Sequence, residues 1–483
     1  IHEYLQMLEE DARPARTAFQ RIYDMIVESG KEKYKELGEE IVRYKFFSNP
    51  ESWGGNQKDA IFGLEKSLMK LVEHLKNGAY KLGAEKRILL LHGPVGSSKS
   101  TIVRLMKRGL EKYSLTNPIY TFEWVNMEDI PGYKGPKLVN HVCQMHEDPL
   151  KLVDKKFIED VLKRINEANK KKGYKYKVEV EGELCPHCKF NYEQLMRHYK
   201  GDWNKVMEHI RVKRFFISEA ERIGIGSFQP RDEKNQDSTE LTGNIDYRKI
   251  AFFGSDSDPR AFNLDGELCI ANRGLMEFIE ILKLETAFLY ELLSASQEHV
   301  IKPKKFALTS IDEVIIGHTN EAEFKKLQDD RFMEALKDRT IRIDIPYNLK
   351  LDNEIKIYKR DYNEKTVPKH IAPHTIEVAS IWAILTRLEE PKDITLLQKL
   401  KLYNGQTIPE FTESAVKKLK AEAIREGLDG ISPRYIQDAI AQAIVSDEEE
   451  KCVNPFMVLK RLKAVSYTHL RAHETSLHLV CRL

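Results

Sequence analysis

The chain has 483 residues, with 77 Lys and Arg against 75 Asp and Glu, a formal net charge of +2, and six cysteines. That length supplies core for two to four domains, and the balanced charge gives no electrostatic case for nucleic acid or an anionic membrane as partner. No apolar run approaches the roughly 20 residues of a membrane span, the charged, amphipathic start leads one to expect no signal peptide, and so few cysteines make no disulfide framework, so a cytoplasmic setting is expected.

Residues 1–55 read as a helical segment, with Tyr4, Leu5, Leu8 and then Ile22, Met25, Ile26 at helical spacing. The chain begins at Ile1 rather than Met, so an incomplete N-terminus is expected. Ser52-Trp-Gly-Gly-Asn56 breaks the pattern, and a helix carrying Leu64, Leu68, Leu71 and Leu75 leads to the apolar run Ile88–Leu91. Next come Gly93, Pro94, Val95, Gly96, Ser97, Ser98, Lys99 and Ser100, and then an amphipathic stretch from Thr101. Strand, Gly-rich turn, Lys-Ser and helix together are the context of a phosphate-binding P-loop. Inward backbone N–H groups and the helix N-terminus attract phosphate. Lys99 is placed to reach the β- and γ-phosphates of a nucleotide, and Ser100 to offer its hydroxyl to Mg²⁺. Ser98 stands where the usual pattern has glycine, so a left-handed backbone there would be strained.

Ile119–Trp124 is a second strand candidate. Residues about 130–260 are rich in Lys, Glu, Gly and Asp, include the run Lys170–Lys177, and read as an insertion with solvated faces. Within it Cys185-Pro-His-Cys188 supplies two thiolates at zinc-knuckle spacing, and Cys143 with His146 offers a second half. Those four residues are the candidate ligands for a structural Zn²⁺; a redox pair and unligated thiols are the alternatives. Gly274–Leu282 reads as an apolar helix, followed by Phe288–Leu293. Strands are expected at Val314–His318 and Ile341–Ile345.

From 351 to 463 the period is helical, and Ser432 as N-cap with Pro433 at the first position opens one helix. These bounds leave 56–350 as the nucleotide-binding α/β body and 351–463 as a helical lid. Residues 464–483 change character, with three histidines and a single acid, and read as a tail from translated adaptor or wrong-frame sequence.

Chemistry at a γ-phosphate also needs a carboxylate, a polar sensor and a cation for the transition state. Glu277 and Glu280 are candidate acids, with Glu280 preferred. Asn320 follows a strand, where a sheet's C-terminal edge faces ligand. Arg339 precedes a strand and suits an arginine finger. Arg434 lies in the first turn of a capped helix, where the dipole disfavours a cation unless an anion is near.

This order of elements resembles AAA+ ATPases. More closely, the chain resembles the PrkA family, named serine protein kinases. The likeness rests on Leu91–Ser100, Cys185–Cys188, Gly224–Pro230, Asp232–Gly243, Gly254–Phe262, His318–Glu321 and Ile431–Arg434. It covers nearly all of 1–463 and lacks the family's C-terminal domain, which would begin at the odd tail. The resemblance implies an α/β AAA+ P-loop core with a large insertion and an all-helical lid. It also implies Mg²⁺ and ATP as cofactors, a homo-oligomer (a hexameric ring) in which the finger acts in trans, a protein substrate, and association with stress responses and sporulation. The family name implies serine phosphorylation, yet the chain has no H-R-D loop and no D-F-G. A Lon-like ATP-dependent protease, with Ser218 as candidate nucleophile, and a non-covalent remodelling ATPase are the alternatives.

Overall fold

The computed structural model describes residues 1–127, 141–230, 236–303, 306–329, 334–363, 365–409, 411–446 and 451–469. Five short runs form the central sheet: β1 (Ile88–His92), β2 (Ile225–Phe228), β3 (Gly274–Phe278), β4 (Glu313–Thr319) and β5 (Thr340–Asp344). Their order is β5-β1-β4-β3-β2, and every neighbouring pair is parallel. All residues of β1, β3 and β4 are buried, so these strands are covered on both faces and read as near-continuous apolar runs rather than alternating ones. The register sets both Thr319 and Asp344 beside His92. The C-terminal ends of β4, β1 and β5 therefore share one edge, the edge at which open α/β sheets bind ligands.

β3 corrects the expected helix at Gly274–Leu282. A short apolar run has no period that separates strand from buried helix. Gly274 decides it: a Cβ there would lie 1.9 Å from the Gly224 carbonyl oxygen, a close backbone approach beside β2. A second correction concerns residues 1–50, which contain an antiparallel hairpin, Lys31–Glu36 with Glu39–Tyr44, between their helices. Leu37 (φ 49°) and Gly38 (φ 71°) both take positive φ, as a two-residue hairpin turn of this hand requires. The first strand is mostly exposed, so apolar spacing carried no trace of it.

Helix α1 (Lys99–Thr116) follows β1 and buries Ile102, Val103, Leu105, Met106 and Leu110. Ile119–Trp124 is a strand, but outside the central sheet. It pairs antiparallel with His141–Val142 and Ile210–Phe215 in a sheet of three. Between these strands run α2 (Ile158–Lys171) and α3 (Pro186–His198). This region is more than solvated faces: Trp124, Met145, Leu152 and Leu195 join one core with Phe228, Met276 and Phe278 of the central sheet. In the lysine-rich run the lysines at 170–172 are exposed, while Tyr176 and Val178 turn inward. β2 also falls within the expected insertion but belongs to the central sheet.

Helix α4 (Glu321–Asp329) follows β4. From Leu351 onward helices pack on Trp382, Ile384, Ile436, Ile440 and Leu462. Helix α5 (Pro433–Val445) opens with Ser432 accepting a hydrogen bond from the Tyr435 N–H. A last helix, Pro455–His469, carries the chain past position 464; residues 470–483 of the expected tail lie outside the described residues. No helix among the described residues is long and apolar enough to cross a membrane.

Candidate functional site

The loop from Gly93 to Ser98 leaves β1 at the ligand edge of the sheet. A Cβ on Gly93 would lie 2.2 Å from the Ile345 carbonyl oxygen, so this position admits only glycine. Gly96 turns at φ 83°, and Ser98 sits in the left-handed region at φ 74°, ψ 12°, as the N-cap of α1. The strain foreseen at Ser98 is thus present, and its side chain makes no capping hydrogen bond in return. Such strain in a non-glycine residue gathers at binding sites, where the surrounding structure fixes the backbone. The Ser97 hydroxyl is buried with no hydrogen-bond partner.

Lys99 Nζ donates to the Gly93 and Pro94 carbonyls at 2.6 and 2.7 Å. Burial lowers its pKa to about 8, with Glu323 opposing and Arg434 adding to the fall. Ser100 is exposed at the first turn of α1, and Thr101 is half-buried beside it.

The helical region closes over this loop. A Cβ on Gly96 would meet Ser432 Cβ at 3.4 Å and Arg434 Cδ at 3.8 Å. Tyr347 donates its hydroxyl to the Val95 carbonyl at 2.6 Å. Between the two parts lies a cleft of about 250 Å³, lined among others by Ser98, Thr101, Tyr347, Arg360 and Arg434. The loop at the N-terminus of α1 and Arg434 of the helical region meet there, with Lys99 on the same loop, a chemistry suited to a polyphosphate.

Glu280 follows the end of β3 and is left-handed at φ 55°, with Lys283 2.8 Å away. Glu277 points elsewhere: its buried carboxylate is held by Lys107 of α1 and by His318 Nε2 at 2.9 Å. Burial would raise its pKa, but the His318 and Lys107 contacts outweigh it and leave the group below the usual value. Glu277 therefore ties α1 to β3 and β4, whereas Glu280 stands past the strand end. Asn320 begins the chain after β4; its amide donates to Glu323 Oε1 at 2.9 Å and its oxygen accepts from the Glu323 N–H at 2.9 Å.

Arg339 is not with these groups. Its carbonyl accepts from the Ile88 N–H at 2.8 Å, which places it at the N-terminal end of β1. At about 3.3 Å per residue, five strand residues put roughly 16 Å between that edge and the P-loop. Its Nε donates to Gln297 Oε1 at 2.7 Å. Ser218 is also apart, in a turn closed by an isolated bridge to Ile223, where its oxygen accepts from the Glu221 N–H at 3.2 Å. That is a turn-stabilising contact.

Three residues at the site escaped the sequence reading. Glu323 could have been found as the acid three residues after a capping Asn. Tyr347 and His92 carry no such signal. His92, fully buried, bridges Asp344 at 2.7 Å and Glu321 at 2.8 Å, tying β1 to β5 and α4 below the loop. In the insertion, Cys143, Cys185 and Cys188 do come together, but the fourth member is Glu147. His146 is corrected out of the set: its backbone turns at φ 47°, and its ring packs 5.2 Å from that of Phe215.

A parallel sheet in the order β5-β1-β4-β3-β2, with a P-loop leaving β1 and a helical region closing on it, defines a P-loop ATPase of the AAA+ class. The chain belongs to the PrkA family: the PrkA AAA domain matches residues 1–395, and the PrkA serine protein kinase C-terminal domain matches 397–480. The second match corrects the expectation that the C-terminal domain is missing altogether, since it runs through the helical region and most of the supposed tail.

The chain is 40% identical over 465 residues to the ATP-dependent protease PrkA of Bacillus subtilis, covering 95% of this chain and 66% of that one. It is 27% identical over 471 residues to the serine/threonine kinase YeaG of Escherichia coli, covering 95% and 67%. The chain thus spans about two thirds of the length of these relatives. A solved complex of the magnesium chelatase subunits BchI and BchD is similar at TM-score 0.33 and 14% identity, over 88% of this chain and 98% of that one.

Proposed function

We propose that this chain binds Mg²⁺ and ATP in the cleft between P-loop and helical region, hydrolyses the γ-phosphate, and uses the cycle to act on a protein substrate. The observation that carries the reading is the strained Ser98 turn facing Arg434 across a cleft of polyphosphate size. Lys99 neutralises the β- and γ-phosphates, and Ser100 is the residue that would hold Mg²⁺, which when bound offsets the charge developing on the phosphates. Glu280 orients the attacking water, with Asn320 and Glu323 setting its hydrogen bonds, and Arg434 senses the phosphate from the lid. Arg339, on the far edge of its own sheet, completes the site of a neighbouring copy, and a closed ring of copies (a hexamer) gives every site such a finger.

The work on the substrate is phosphate transfer, cleavage or remodelling. The relatives' names divide between kinase and protease. We favour serine phosphorylation, after the family's name. One alternative Ser–Lys arrangement is disfavoured on charge: Lys107 contacts the Ser227 hydroxyl but is also held by Glu219 and Glu277. Two carboxylates keep it protonated and unfit as a base.

The test is intact-mass spectrometry of casein incubated with the protein and Mg·ATP, with Lys99→Ala as control. A phosphate-sized gain supports the kinase reading. Nucleotide-dependent fragments replace it with the protease reading. Unchanged casein with ATP consumed leaves remodelling, and no ATP consumption refutes the ATPase assignment.

A further inference from the structure

The nucleotide cleft makes no use of a sealed cluster in the insertion. Cys143 follows the short strand His141–Val142, Glu147 lies four residues on, Cys185 caps α3, and Cys188 stands in that helix's first turn. One ligand atom from each lies within 4.8 Å of the other three. All four residues are buried, none more than 2% exposed. Cys143 Sγ lies 3.5 Å from Glu147 Oε2. A tetrahedral zinc with Zn–S of about 2.3 Å and Zn–O of about 2.0 Å holds sulfur and oxygen about 3.5 Å apart, and two sulfurs about 3.8 Å apart. The Cys143–Glu147 edge therefore already has the length of a coordination-shell edge, and the remaining ligand atoms lie within 4.8 Å.

Its surroundings are those of a metal site's supporting contacts. The Trp124 Nε1–H donates to Cys188 Sγ at 3.4 Å, the Cys185 N–H donates to Glu147 Oε2 at 2.9 Å, and Lys151 Nζ donates to Glu147 Oε1 at 3.0 Å. Such donors orient ligands and spread their charge.

The competing explanations fit less well. The three cysteines are free rather than bridged. A catalytic C-x-x-C pair is partly exposed, and this one is sealed. Thiols packed only as apolar filler gain nothing from a carboxylate in their midst, since burying a charge is costly.

We propose that Cys143, Cys185, Cys188 and Glu147 bind one structural Zn²⁺. Thiolates select zinc over the hard Mg²⁺ of the nucleotide site. The ion clamps the start of α3 to the segment after the strand His141–Val142, inside the core that both share with Phe228, Met276 and Phe278 of the central sheet. The inference is independent of what the ATP cycle does.

The test is elemental analysis of the untagged full chain purified under reducing conditions, followed by replacement of the metal with Co²⁺. Expected is about one zinc per chain, and a cobalt spectrum with thiolate charge-transfer bands and strong tetrahedral d–d absorption. Glu147→Gln should weaken zinc at least tenfold, and Cys188→Ser should abolish stoichiometric binding. Should the cysteine variant not fold, wild-type protein still answers: a strong chelator should release zinc and open three further thiols to a thiol reagent. The proposal is overturned by metal-free protein that takes up no zinc, by a mass 2 Da short from a disulfide, or by a cobalt spectrum without thiolate bands. A Glu147→Gln protein with unchanged zinc affinity removes the carboxylate from the ligand set and refutes the site as stated.

Discussion

Replacing Ser98 by glycine should stabilise this protein, although glycine substitutions usually do the opposite. Ser98 is held at φ 74°, ψ 12°, a region that costs an L-residue about 1–2 kcal/mol and glycine nothing. Its side chain makes no capping hydrogen bond that would be lost. Against the gain stands the extra freedom of glycine in the unfolded chain, about 0.4–1 kcal/mol. The net is a stabilisation of about 0.5–1 kcal/mol, or roughly 1–4 °C in Tm for a unit of this size. Ser98→Val, β-branched in the same region, should move the other way by a larger amount. Thermal unfolding of both variants, without nucleotide and with Mg·ATP, measures this, and the glycine variant should keep its ATP affinity because its backbone is unchanged. A Ser98→Gly protein that melts several degrees lower would refute the reasoning. The Ser98 hydroxyl would then be contributing something that its geometry does not show.

Lys99, with its pKa lowered to about 8 chiefly by burial, must be charged to hold phosphate. ATP affinity should therefore be flat below pH 8 and fall as pH rises through it, approaching a tenfold loss per unit above. Calorimetry between pH 7 and 9.5 measures the slope, which Lys99→Arg should flatten because arginine stays charged; an unchanged slope in that variant would assign the titration to another group. Arg339→Ala should keep ATP binding and lose about a thousandfold or more in hydrolysis. Mixing it with Lys99→Ala should restore part of the turnover if the finger acts in trans, and a failure to bind ATP would argue against the finger role. Arg434→Ala should weaken ATP binding by about 10- to 100-fold, the loss of a charge-assisted contact, and an unchanged Kd would remove Arg434 from the cleft. Glu280→Gln should trap bound ATP with hydrolysis at background, whereas the same change at Glu277 should lower the melting temperature through its buried Lys107 and His318 contacts; the reverse pattern would exchange their roles.

The sequence by itself determined the phosphate loop and the capped helix at Ser432-Pro433-Arg434. Those signals are local: a glycine needed for close approach, a serine that caps, a proline that starts a helix. It also supplied the strands at 314–318 and 341–345, whose apolar runs end at a turn or a proline. Only the tertiary structure decided that Gly274–Phe278 is a strand, because a five-residue buried run has no readable period and packing against β2 and β4 settles it. The separation of Glu280 from Glu277 was likewise tertiary, since two acids three residues apart look alike until one is seen locked between α1 and β4. So was the replacement of His146 by Glu147 among the cysteines. The backbone turn at His146 aims neighbouring side chains in different directions, and a motif's spacing fixes how far apart two residues are along the chain but not which one faces inward.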